Sequence, residues 1–339
     1  MAGNSSFKSS HDDNDFSAIA IEQLVADEWE DVQMVNLPLL AALKDGELNW
    51  NNGFTVRRPD ILIPVAYENV DGMTTSTLGK SRSELIPTSW PSYSELPGFT
   101  DAKFPIAILE WSIPITKIDR DLLKNGERGN KITGMIRAVM GKWARTKSAM
   151  MSGNANASDK VLLGIPYALS ASNTIGGIAQ STNSWWQALV KSGVSTLLES
   201  TVRSDVNELA LKARNSQGKG SAPDLLMLDN IDGGFDVYGK VESFVTDKER
   251  YFHSDWFLKW GITGYSYKNM KCVMNPWGAG GTYWMLNTGT WYYLGEDDPS
   301  ADEEIRLPGS STRDRTWTEP CCLGVGNPRL NLIRSGVTA

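Results

Sequence analysis

The run Ile61-Leu62-Ile63-Pro64-Val65-Ala66-Tyr67 is apolar and β-branched enough to read as a strand, and residues 104–115 read as its partner. Between them lies a stretch with almost no apolar content, punctuated by Gly72, Gly79, Pro87, Pro91, Pro97 and Gly98. Connections in compact domains have a median of about 4–6 residues, so a long one is usually functional or disordered. The pattern predicts a two-stranded arm reaching away from its own subunit. An isolated two-stranded ribbon is marginal in water, so a chain that makes one relies on another molecule to cover it. This stretch therefore points to assembly rather than catalysis.

The chain has 339 residues, 41% of them apolar and 22% charged, an ordinary composition for a soluble globular protein with a sizeable core. No run of about 18 apolar residues exists, which excludes a membrane-spanning helix. Residues 1–15 are polar and acidic where a secretory signal needs a basic start and an apolar stretch, so a cytoplasm-like compartment is expected. Cys272, Cys321 and Cys322 form no CxxC pair and read as buried structural thiols. A formal charge of −7 argues against tight sequence-independent DNA binding, which needs clustered cations, but not against weak contact with DNA.

Residues 12–43 contain the acids Asp12, Asp13, Asp15, Glu22, Asp27, Glu28, Glu30 and Asp31 and no Lys or Arg. With Ile19, Leu24, Val25, Trp29 and Val32 at roughly helical spacing, they predict an amphipathic acidic arm. In the strand 104–115, Ala107, Leu109, Trp111, Ile113 and Ile115 share one face, and Ile106, Ile108, Glu110, Ser112 and Pro114 the other. Ile132, Ile136, Val139 and Trp143 then mark a helix ending near Ser152-Gly153-Asn154. Lys131, Arg137, Lys142, Arg145 and Lys147 are placed on its opposite face with no acid between them. Gly134 and Gly141 within that helix suggest close packing against another backbone. Further on, the pattern predicts a helix over 202–214, a strand over 224–228 and a short helix over 234–244. Strands follow over 264–273, 281–287 and 291–294, and a closing β pair over 317–324 and 329–336. Mixed helices and antiparallel strands suggest α+β layering.

Catalytic constellations are scarce. His11 and His253 are the only histidines, so a hydrolase would rest on His253 with Ser254 or Asp255, and a packed structural His253 is the simpler reading. Gly218-Lys219-Gly220-Ser221 lacks the leading glycine of a phosphate loop, since Ala213 stands there, and Gly220 follows the lysine. Tyr283 and Arg329 occupy the third glycine position of the two candidate dinucleotide fingerprints. The acidic loop 296–304 lacks the ladder of a calcium site. Thirteen tryptophans exceed what a core usually requires, and Trp is enriched at protein–protein contacts. Neither a metal nor a cofactor is expected.

Gly164-Ile165-Pro166-Tyr167, then GGIAQSTNSWW over 176–186, then Ala222-Pro223-Asp224-Leu225-Leu226-Met227, in that order and spacing, resemble the major capsid proteins of tailed bacteriophages with the Hong Kong 97-type fold. The resemblance also takes in the long arm, the helix after it, Trp284-Met285-Leu286-Asn287-Thr288 and Gly326-Asn327-Pro328-Arg329. It implies an α+β capsid fold with an N-terminal arm over 1–50 and an extended E-loop hairpin with flanking strands over 51–117. A peripheral domain with a long spine helix spans 118–164, an axial domain 165–290, and 291–339 returns to the peripheral domain. It implies a shell around double-stranded DNA, built from hexamers and pentamers of the chain itself, located in the virion after assembly in the host bacterial cytoplasm. A separate scaffolding protein, a portal, a possible decoration protein and weakly held DNA are the implied partners, with no membrane. Some relatives lose a long N-terminal scaffolding segment, and nothing before residue 17 is long enough to be one, so a separate scaffold or a lost pro-segment is expected. Some relatives also link an E-loop lysine to a neighbour; Lys80 lies in the comparable loop, though no motif marks its partner. Asp27, Glu28, Glu30, Asp31, Lys80, Trp90, Arg137, Lys142 and Arg145 are the candidate inter-subunit contacts. An encapsulin-like nanocompartment shell, a tail or portal component, and the His253 hydrolase remain the alternatives.

Overall fold

A computed structural model describes residues 38–46, 48–66, 99–116, 129–194, 196–215, 223–229, 237–245, 264–278, 280–295, 300–301, 305–306 and 312–337. Helix α1 (Pro38–Asp45) and the short strands β1 (Asn49–Trp50) and β2 (Thr55–Arg57) lead into β3, Asp60–Ala66. The expected partner over 104–115 is two strands rather than one. Phe99–Pro105 (β4) pairs antiparallel with β3, from Ala66 opposite Phe99 to Asp60 opposite Pro105, while Ala107–Thr116 (β5) enters another sheet. The reason is a phase slip. Ala102 and Phe104 point inward, then Ala107 and Trp111, so the period of two breaks between 104 and 107 and one strand cannot bury both sets. Within β5 the expected faces hold where described, with Ala107 and Trp111 buried and Ile108, Glu110 and Ser112 exposed.

Helix α2, Gly129–Ser152, follows at the expected place and stops at the expected signal. Past the short helix α3 (Ile165–Ala168), the hairpin β6 (Thr174–Ile175) and β7 (Ile178–Ala179) leads to β8, Leu189–Val194. Then come α4 (Glu199–Asn215), β9 (Leu225–Asp229) and α5 (Val237–Glu242). The strand expected over 264–273 is a tight hairpin of β10 (Gly264–Tyr267) and β11 (Met270–Asn275). Lys268 and Asn269 both have positive φ, at 52° and 64°, the geometry of a two-residue turn between twisted strands. The chain ends through β12 (Tyr283–Leu286), β13 (Trp291–Leu294), β14 (Ser300–Ala301), β15 (Ile305–Arg306), β16 (Thr312–Val325) and β17 (Leu332–Val337).

Twelve of these strands form two six-stranded sheets, β2-β3-β4 a three-stranded one and β6-β7 a two-stranded one. One six-stranded sheet runs β10-β11-β9-β12-β17-β8. Because β9 is central, its residues are buried alternately on two sides: Leu225 and Met227 join one apolar cluster, Leu226 and Leu228 the other. Val202 and Leu209 of α4 and Val237 and Val241 of α5 cover the second side. The other sheet is organised by β16, which pairs with β5 over ten residues, from Thr312 opposite Thr116 to Cys321 opposite Ala107, and also with β13, β14 and β15. Trp111 and Trp317 face each other across that ladder with rings stacked at 4.5 Å. The closing strands β16 and β17 are present but do not pair with each other. β17 joins β12 and β8.

Candidate assembly surfaces

The stretch expected as an extended hairpin is flanked by β3 and β4, which with β2 form a three-stranded sheet. Its inner face buries Ile61, Ile63, Val65, Ala102 and Phe104, while Pro64, Asp101 and Lys103 face out. Period-two alternation thus anchors one face of this sheet to the subunit and leaves the other polar. Residues 67–98, with Lys80 and Trp90, lie outside the described residues, as do Asp27, Glu28, Glu30, Asp31 and His253.

On α2, Met140 and Trp143 are buried against the β16 sheet, and Arg137, Lys142 and Arg145 are exposed on the outer side, as the period requires. Lys147 is a correction. It is buried, not on the basic face, and its Nζ donates to Glu319 Oε1 at 2.7 Å, each side chain 1% exposed. The ammonium also stands 4.7 Å from the Trp143 ring centroid and 5.1 Å from that of Tyr293. The signal was present: 147 follows 140 and 143 at seven and four, and Glu319 lies between Trp317 and Cys321 on the inward face of β16. A Cβ at Gly134 would meet nothing within 4 Å in this subunit, so no described backbone of the same subunit packs on it.

A second buried polar cluster joins α4 to the sheet of β9. Asp205 is fully buried and accepts from Arg334 through Nε and Nη2, both at 2.7 Å, from the Tyr283 hydroxyl at 2.6 Å and from Lys191 Nζ at 2.9 Å. Burial would raise the Asp205 pKa, but the hydrogen bonds from Arg334, Tyr283 and Lys191 outweigh it and hold the carboxyl below its usual range. Lys191 also donates to Glu208 at 2.5 Å.

The segment 164–187 carries a buried hydrogen-bond network of its own. Gln180 is buried and its Nε2 donates to the carbonyls of Ala168 and Trp186, both at 3.1 Å, while Trp186 Nε1 donates to Ile175 O at 3.2 Å. Six of the nine described tryptophans, Trp111, Trp143, Trp186, Trp284, Trp291 and Trp317, are core, and Trp277 is exposed. The three cysteines are buried and free; burial pushes the Cys321 thiol up to about 12. Among the described residues no group of three His, Cys, Asp or Glu gathers as a metal site would, and no helix is long and apolar enough to cross a membrane.

No protein-family model and no curated protein matches the chain. Solved structures do. The capsid asymmetric unit of cyanophage A-1(L) aligns with TM-score 0.57 at 14% identity, over 90% of this chain and 94% of that one. The SrpI encapsulin of Synechococcus elongatus PCC 7942 aligns with TM-score 0.51 at 8% identity, over 86% and 85%. The capsid of the native GTA particle aligns with TM-score 0.50 at 11% identity, over 88% and 90%. The chain therefore has the Hong Kong 97-type capsid fold, over nearly its whole length.

Proposed function

We propose that the chain is the major capsid protein of a tailed bacteriophage, a structural subunit without a catalytic centre that polymerises into an icosahedral shell around double-stranded DNA. The observation that carries this is the likeness to the cyanophage capsid subunit over 90% of the chain. The encapsulin likeness is somewhat weaker and supports the same closed-shell architecture. The division into arm (1–50), E-loop hairpin (51–117), peripheral domain (118–164 and 291–339) and axial domain (165–290) belongs to this reading. So do a separate scaffold, a portal, a possible decoration protein and assembly in the host cytoplasm. Each subunit lends its arm and hairpin to neighbours, so many modest contacts add while each stays weak enough to correct errors.

Charge supports a specific pairing. The acids Asp27, Glu28, Glu30 and Asp31 of one subunit dock on the exposed Arg137, Lys142 and Arg145 side of α2 in another, a helix of 24 residues that contains no acid. Lys80 and Trp90 are carried on the hairpin as further contacts. Electron microscopy of the concentrated protein, with scaffold if needed, is expected to show closed shells, and rings or tubes would refute the reading. Double-stranded DNA in native particles separates a virion from an enzyme-filled compartment. Reversing Lys142→Glu and Arg145→Glu together is expected to block assembly or make it salt-sensitive, and unchanged shells would refute the pairing.

A further inference from the structure

We propose that Gly176, Gly324 and Gly326 form a seat that fixes the tilt of the paired strands β3 and β4 on the subunit, and so set the geometry of the assembled shell. The second half of this inference rests on the assembly reading above. Glycines from two segments far apart in sequence converge on neighbouring side chains of this strand pair. A Cβ at Gly324 would lie 2.6 Å from Ile63 Cδ1 and 3.0 Å from Phe104 Cδ2. One at Gly176 would lie 2.8 Å from Ala102 Cβ and 3.1 Å from Phe104 Cζ. One at Gly326 would lie 3.2 Å from Ile63 Cγ2 and 2.7 Å from Tyr292 Cε2. Carbon atoms in contact prefer about 3.5–4.0 Å, so the strand pair rests directly on backbone that a methyl group would push away.

Backbone conformation does not explain all three. Gly176 has φ +59°, but Gly324 and Gly326 are absent from the left-handed region, so what they supply is close approach alone. Hydrogen bonds clamp the same place: Lys103 N–H donates to Gly176 O at 3.0 Å, and the Cys322 thiol points to Phe104 O at 3.8 Å. The adjacent Gly177 supplies the contrast, with φ +79° and no atom within 4 Å of its Cβ position. Strands of seven residues extend about 20 Å, so a tilt of about 10° at the seat moves their far end by ~3.5 Å. Contacts made beyond that end would then lose register with a neighbour.

The test uses the full chain with Gly324→Ala, the double variant Gly324→Ala/Ile63→Val, which removes the Cδ1 that the new methyl would strike, and Gly177→Ala. Hydrogen exchange on the unassembled subunit is expected to rise about tenfold over 60–66 and 99–105 in Gly324→Ala, but not over 283–286. It returns toward the wild type in the double variant and is unchanged in these strands in Gly177→Ala. Particles from Gly324→Ala are expected to fall in yield or change in diameter, with recovery in the double variant. Unchanged exchange in these strands, a double variant no better than the single one, or particles of unaltered yield and diameter would overturn the proposal. A wild-type chain that forms no shell would refute the assembly reading, while exchange in these strands still decides whether the seat exists.

Discussion

Helices α2 and α4 solve the same problem with opposite charges. α2 turns a cation inward, Lys147, onto a carboxylate of the sheet beneath it, Glu319. α4 turns a carboxylate inward, Asp205, onto the sheet cations Arg334 and Lys191 and the Tyr283 hydroxyl. The Lys147 site is dry on both sides, whereas at the Asp205 site Lys191 and Glu208 still reach solvent. Their outer faces differ too. α4 carries both signs, with Glu199 and Arg203 paired along its own surface, while α2 exposes Arg137, Lys142 and Arg145 and has no acid in its sequence. The proposed docking of an acidic arm uses this exposed basic face of α2.

The largest effect should come from breaking the dry site. Removing one member of a buried pair strands the other charge, at a cost of about 3–5 kcal/mol, whereas replacing both with apolar groups is often close to neutral. Glu319→Ala should therefore lower subunit stability by about that much in denaturant unfolding, and Lys147→Met with Glu319→Leu should recover most of it. If the double variant is as unstable as the single one, the loss does not come from a stranded Lys147 charge as argued.

The Asp205 site should respond less to neutralisation and more to pH. Its carboxyl is held below the ordinary aspartate value of about 3.9. It therefore contributes stability that is fully present above that value and is lost as pH falls through the lower native pKa. Asp205→Asn keeps the shape and removes this component. The variant should be less stable than the wild type at pH 7, and the gap should narrow as both are titrated below about pH 4. A gap that stays constant or widens in acid would contradict the assignment of the hydrogen-bonded carboxylate as the titrating group.

How much of this was legible depended on whether a signal was local. The helical period of Ile132, Ile136, Val139 and Trp143 marked α2, and the apolar run Leu225-Leu226-Met227-Leu228 marked a strand. Pairing between distant segments was not legible: nothing local says that β16 chooses β5 and β17 chooses β8. The turn at Lys268-Asn269 was missed because neither residue is glycine, although Asn tolerates positive φ. Of the candidate contacts, the exposed cations of α2 followed from helical period, and Lys147 was misplaced because its charge was weighed above its position in that period. Charge pairing that neutralises a buried lysine is written 172 residues away, at Glu319.

The smallest effect sharpens the contrast between the two faces of α2. Gly134 is exposed, lies well inside the helix and has open space where a Cβ would stand. Glycine in a helix interior costs about 0.5–1 kcal/mol relative to alanine, through backbone freedom lost on folding. Gly134→Ala should therefore stabilise the isolated subunit by up to about 1 kcal/mol in chemical unfolding. The same substitution read in assembly distinguishes two uses of that face. If the outer side of α2 engages its partner only through long cationic side chains, shells form as in the wild type. If a neighbouring backbone packs on Gly134, the more stable subunit assembles worse, and the opposite signs of the two measurements locate the contact at this turn of the helix.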